Sequence, residues 1–169
     1  MRRALALTLL LVAGCSGSQP QPANNTTAAT GLEAAAIEAG VIPDPSNTDI
    51  TGLYSRDTDR VCIVPTATAY RIGVFVDYGD NQNCGGSGTV TRVGEKLQVE
   101  FDGGAGCSFE ARFEGDRIVF PGRLPDGCQK LCARRASMAA LDVSRLSESV
   151  SEASTLRDAK GKLLCSSGG

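Results

Sequence analysis

The sequence contains no histidine and no tryptophan, and only three tyrosines and five phenylalanines among 169 residues. Without histidine there is no imidazole base for a hydrolytic triad, and the commonest nitrogen ligand of zinc is missing as well. Catalysis would have to rest on convergent carboxylates, yet Asp, Glu and Arg mostly alternate with apolar residues or fall in turn signals, the pattern of a solvated face. So few rings cannot carry a core by aromatic packing, and twenty glycines weaken any strand they interrupt. Downstream of residue 15 no apolar run is long enough to span a bilayer as a helix. The formal charge of −2 gives no basic excess for nucleic acid.

What is present begins at the start of the chain. Met1-Arg2-Arg3 precedes the apolar run Ala4 to Ala13, the charged and hydrophobic parts of an export signal. The run ends in Leu11-Val12-Ala13-Gly14-Cys15, which resembles the lipobox of bacterial lipoproteins: an apolar residue, a small residue, Gly or Ala, then Cys. That resemblance implies residues 1–14 as a cleaved signal peptide, a diacylglycerol thioether on Cys15 and an N-acyl chain on its new amino group. Each buried methylene contributes about 0.8 kcal/mol, so two or three acyl chains hold a protein on a membrane with no spanning helix. Ser16 follows Cys15 where an Asp would favour inner-membrane retention; by resemblance to enteric lipoproteins this favours the outer membrane, facing the periplasm. Membrane lipid is therefore one expected partner, and no cofactor besides the covalent lipid is expected.

Removing the signal leaves 155 residues with 15 basic and 19 acidic side chains, a net charge of −4. Residues 15–30 form a lipidated tether, because Ser16 to Thr30 are small and polar with no apolar face; such a segment spans about 20 Å end to end. Residues 31–169 are expected as one domain, with a β core over about 50–145 and helices on either side. Thr30 or Gly31 caps a short helix over Leu32 to Ala39, read as a lid or plug at the edge of the domain, before Pro43 and Pro45 break the chain. A second, amphipathic helix is expected over about 147–158, with Ser147 as N-cap and Leu146, Val150, Ala153 and Leu156 at helical spacing.

Between the helices the period is two. Thr51-Gly52-Leu53-Tyr54 is a Gly-x-Tyr opening similar to the first strand of small calycin-like barrels. Tyr70, Ile72, Val74, Val76 and Tyr78 alternate with mostly polar residues, as do Leu97, Val99 and Phe101, and Cys107, Phe109, Ala111 and Phe113. Further strands are expected at 60–64, 88–93, 117–120 and from Ser137 to Arg145, with turns at Gly94-Glu95 and Glu114-Gly115-Asp116. The fold class is thus mainly β: an antiparallel meander or small barrel-like sheet, stapled by disulfides.

Six cysteines remain after Cys15: Cys62, Cys84, Cys107, Cys128, Cys132 and Cys165. An even set in an exported chain with a small core reads as three disulfides. A two-residue turn at Gly94-Glu95 makes paired residue numbers sum to 189, placing Cys84 opposite Ala105. Cys84 with Cys107 is therefore the preferred bridge, and Cys62 pairs with Cys128, Cys132 or Cys165. Cys128-x-x-x-Cys132 lacks the spacing of a thiol oxidoreductase.

The loop from Asp77 to Asn83 gathers oxygen donors in Asp77, Asp80, Asn81 and Asn83, a candidate calcium site without the spacing or the closing Glu of a dedicated calcium loop; an ordinary hairpin turn fits it better. The expected function is a membrane-tethered, non-catalytic envelope lipoprotein whose β domain binds a small ligand or an envelope protein, an inhibitor of a wall-lytic enzyme being one version. The alternative is an envelope enzyme working through carboxylates or a metal. A deep apolar cavity would favour the small ligand, and an open face with an exposed loop a protein partner.

Overall fold

The computed structural model describes residues 31–39, 41–42 and 49–166; the signal, Cys15 and the tether lie outside the described residues. Eight strands follow in chain order: β1 (Gly52–Arg56), β2 (Asp59–Pro65), β3 (Tyr70–Asp77), β4 (Asn83–Val93), β5 (Lys96–Phe101), β6 (Ser108–Phe113), β7 (Arg117–Val119) and β8 (Asp142–Ser147). Each pairs antiparallel with the next, and β1 pairs with β8, so the meander closes into a barrel and leaves no free edge. Two short helices, α1 (Leu32–Glu38) and α2 (Val150–Ala153), flank it.

Alternation decides what enters the barrel. Along β5 and β6 every second residue is buried, which sends Leu97, Val99, Phe101, Phe109, Ala111 and Phe113 inward and the charged residues between them outward. Eight strands enclose a space that side chains can fill, and here they do: Tyr54, Val61, Ile63, Ile72, Val74, Val90, Ile118 and Val143 complete one continuous core. β2 breaks the alternation with four consecutive buried residues, Val61 to Val64, because its outer face is covered too. That cover is the C-terminal tail: Ala153, Leu164 and Cys165 pack with Cys62 and Val64 on the outside of the barrel. Gly73 makes the fit possible, since a Cβ there would stand 2.5 Å from Leu164 Cβ and 2.7 Å from Cys62 Sγ.

The expected turn at Gly94-Glu95 is present, with Val93 opposite Lys96 and Gly88 opposite Phe101. The bridge inferred from that register is not. Cys84 joins Cys132, Cys107 joins Cys128, and Cys62 joins Cys165. The pairing count carries one residue past β5, Asp102 N donating to Ser87 O; the chain then turns back, Cys107 N donating to Gly104 O and Phe101 N to Cys107 O. β4 runs on beyond its partner, so Cys84 meets the returning connection at Cys132 instead.

Three further expectations are corrected. α1 is neither lid nor plug: none of its residues is buried, and Leu32 is 91% exposed. The last strand begins at Asp142 rather than Ser137, because Ala140 adopts a left-handed turn (φ 58°) while Ala136, Met138 and Leu141 point into the core. The long C-terminal helix is one turn, Val150–Ala153, capped by Ser149 rather than Ser147. Leu146 belongs to β8, and the hydroxyls of Ser154 and Thr155 bond back to the carbonyls of Val150 and Glu152, a pattern that favours helix ends over helix interiors.

Candidate functional site

Because successive strands reverse direction, the turns at 57–58, 78–82 and 102–107 and the long β7–β8 connection share one end of the barrel. The turns at 66–69, 94–95 and 114–116 share the other.

At this second end Arg145 of β8 is drawn inward, its side chain only 8% exposed. Its guanidinium lies 5.4 Å from the Tyr54 ring centroid and 5.6 Å from that of Phe113, and Arg92 stacks on Phe113 at 4.6 Å. Arg145 also donates from Nη1 to Glu148 Oε1 at 2.7 Å and from Nη2 to the Asp49 carbonyl at 2.6 Å. The Tyr54 hydroxyl donates to the Ile50 carbonyl at 2.8 Å. Burial pushes the Tyr54 phenol up to about 12, and the neighbouring guanidinium pulls the other way less strongly. A neutral phenol beneath a charged guanidinium, with both Arg145 Nη groups and the phenolic OH engaged, locks β1 to β8 and offers no poised acid or base.

Several outward carboxylates are tied into ion pairs. Asp142 accepts from Arg117 Nε at 2.6 Å and lies 3.4 Å from Arg56, and the Arg117 hydrogen bond holds its carboxyl below the usual range. Lys96 pairs with Glu110 and Arg112 with Glu114. Asp59 is shifted upward by burial, and its Oδ1 accepts from Asp77 N.

The calcium candidate folds as a turn. Asp77 Oδ1 accepts from Gly79 N at 2.9 Å, Asp80 and Asn81 take left-handed backbone at φ 50° and 58°, and the Asn83 carbonyl accepts from Ala133 N. Among the described residues no group of three or more Asp, Glu or Cys converges as a metal site.

The first end is built differently. Residues 120–141 fold over it through a 3-10 helix, Asp126–Leu131. Cys107–Cys128 and Cys84–Cys132 anchor this cap from two sides. Beneath it Phe109 packs edge-on against Phe120 at 4.9 Å, and Leu131 reaches over Gly86, where a Cβ would stand 3.1 Å from it. Met138 is buried, and Gln129 Nε2 donates to the Ala136 carbonyl at 3.2 Å.

Surface clefts gather here. One of about 510 Å³ runs between Arg123–Gln129 and Ser137–Ala139, with Leu124, Pro125, Met138 and the cap cysteines among its walls. A second, about 270 Å³, lies between the cap and the tail and is lined by Lys130 and Lys160. Both open to solvent on the outside of the barrel. No family model matches the chain, and no curated protein or solved structure does.

The structure thus brings the six cysteines together in pairs and leaves Asp77, Asp80, Asn81 and Asn83 in a turn. Sequence reasoning missed Arg145, Arg92 and the cap cations Arg123, Lys130, Arg134 and Arg135. The Arg134-Arg135 pair was the visible signal, but that Arg123 and Lys130 line clefts depends on how residues 120–141 fold back over the barrel.

Proposed function

We propose that this protein is a bacterial envelope lipoprotein, held by diacylglycerol and an N-acyl chain at Cys15 on the periplasmic side of the outer membrane, and that its barrel is a non-catalytic recognition module for an envelope protein. The observation that carries the recognition reading is the filled interior: Tyr54, Ile63, Ile72, Val74, Leu97, Phe113 and Ile118 occupy the space where a small-ligand barrel keeps its cavity. Binding is then left to the outer surface, where the cap end offers clefts and exposed side chains on a scaffold fixed by two disulfides. The tether supports this by letting a rigid domain search for a partner while confined to the membrane.

The anchor is tested by mass analysis of the protein from its native membrane fraction, run without reductant. The expected result is a lipid-modified Cys15 peptide and no free thiol at the other six cysteines. Cys15→Ser should move the protein to the soluble fraction, and its retention on membranes after a salt wash would overturn the anchor.

A further inference from the structure

The cap carries four cations, Arg123, Lys130, Arg134 and Arg135, and one carboxylate, Asp126. All four cations are exposed, and no ion pair joins any of them among the described residues. Elsewhere on the barrel Arg56, Arg71, Lys96, Arg112, Arg117 and Arg145 each face a carboxylate within 4.0 Å. Arg60, Arg157, Lys160 and Lys162 likewise join no ion pair among the described residues, so unpaired positive charge gathers in two segments, the cap and the tail beside it. The cap is the segment that forms the large cleft: Arg123 and Asp126 stand on its wall, and Gln129, on another wall, donates to the carbonyl of Ala136, the residue that follows Arg134 and Arg135. Tyr78, 60% exposed, leans onto the cleft rim through its hydroxyl, which donates to the Ser137 carbonyl at 3.1 Å.

We propose that this cleft is the docking site for a carboxylate-bearing loop of a partner protein, a proposal that rests on the recognition reading above and names its surface and partner chemistry. The loop's apolar part would lie on Leu124, Pro125 and Ala139 while its carboxylates meet Arg123, Arg134 and Arg135. Arg and Tyr around a partly apolar concavity are the residue types that anchor protein interfaces. The disulfides hold the cap in place before binding, which lowers the entropy lost on association. A bilayer or an anionic polymer fits less well. The turns and strand ends on the same end carry Asp57, Asp59, Asp77 and Asp80, which repel an extended negative surface but leave a single loop room to dock.

The test is photocrosslinking of the full, tethered chain in intact cells, with a photoreactive phenylalanine analogue at Asp126 and, as a control on the barrel wall, at Thr91. The expected result is a protein adduct from Asp126 whose crosslinked peptide contains Asp or Glu. Arg123→Glu or Arg135→Glu, with all three disulfides still formed, should lower its yield at least tenfold. Lysine in place of the mapped partner carboxylate should restore the yield in the Arg135→Glu background. A lipid or glycan adduct at Asp126, or a yield indifferent to both charge reversals, overturns the proposal. A protein adduct from Thr91 alone overturns the cap site and leaves the recognition reading standing; no protein adduct from either position removes both.

Discussion

The two ends of this barrel close by different chemistry. At one, Arg145 lies over Tyr54 and Phe113 and ties Glu148 and Asp49 to the same point, so the seal is made of packing and paired charge. At the other, a 22-residue connection is folded over the opening and bolted by Cys84–Cys132 and Cys107–Cys128, and its cations join no ion pair among the described residues. The first arrangement engages both Arg145 Nη groups and the Tyr54 hydroxyl to hold the fold. The second delegates holding to covalent bonds, which leaves side chains such as Arg123 and Arg135 free to face a partner. In a chain with three Tyr and five Phe, rings suffice for a core but not for two sealed mouths, and cysteine supplies the difference.

The comparison breaks most sharply at Tyr54. Its ring is fully buried beside the Arg145 guanidinium, so Tyr54→Ala should destabilise the protein by about 3 to 5 kcal/mol in chemical unfolding. The cap disulfides should stay formed in that variant; their exposure to reductant would mean the two ends are not separable. Next comes the joint replacement Cys84→Ser with Cys132→Ser, expected to lower stability by about 2 to 5 kcal/mol. Amide exchange should quicken first over residues 126–133, while β1 and β8 keep their protection. Equal loss at both ends would show that the staple supports the whole barrel rather than its cap.

A smaller effect sharpens the same contrast through pH. The Tyr54 phenol is raised from 10.0 to about 12 in the folded state, so its contribution is fully present below pH 10 and is lost as pH rises toward 12. The loss is at most about 3 kcal/mol across that window, at 1.4 kcal/mol per unit. Tyr54→Phe should flatten this alkaline limb, at the expense of the bond to the Ile50 carbonyl, and a limb unchanged in the variant would assign the loss to another group.

Local pattern alone determined the strands. Alternation over Tyr70 to Val76, Leu97 to Phe101 and Phe109 to Phe113, with turn residues at Gly94-Glu95, reads directly as antiparallel hairpins, because a strand's two faces are written in steps of two and a two-residue turn sets the register of its neighbours. The even set of six cysteines announced three bridges for the same compositional reason. Only the tertiary structure decided which cysteines meet, that β8 closes onto β1, and that residues 120–141 rather than α1 cover the opening. Those outcomes depend on where a strand stops and a long connection returns: β5 ends at Phe101, and from there pairing is governed by shape and closure in three dimensions, which no count along the chain contains. The candidate surface belongs to that second category. Arg123 and Lys130 read one by one as solvated charge, and line clefts only once the cap folds back over the barrel.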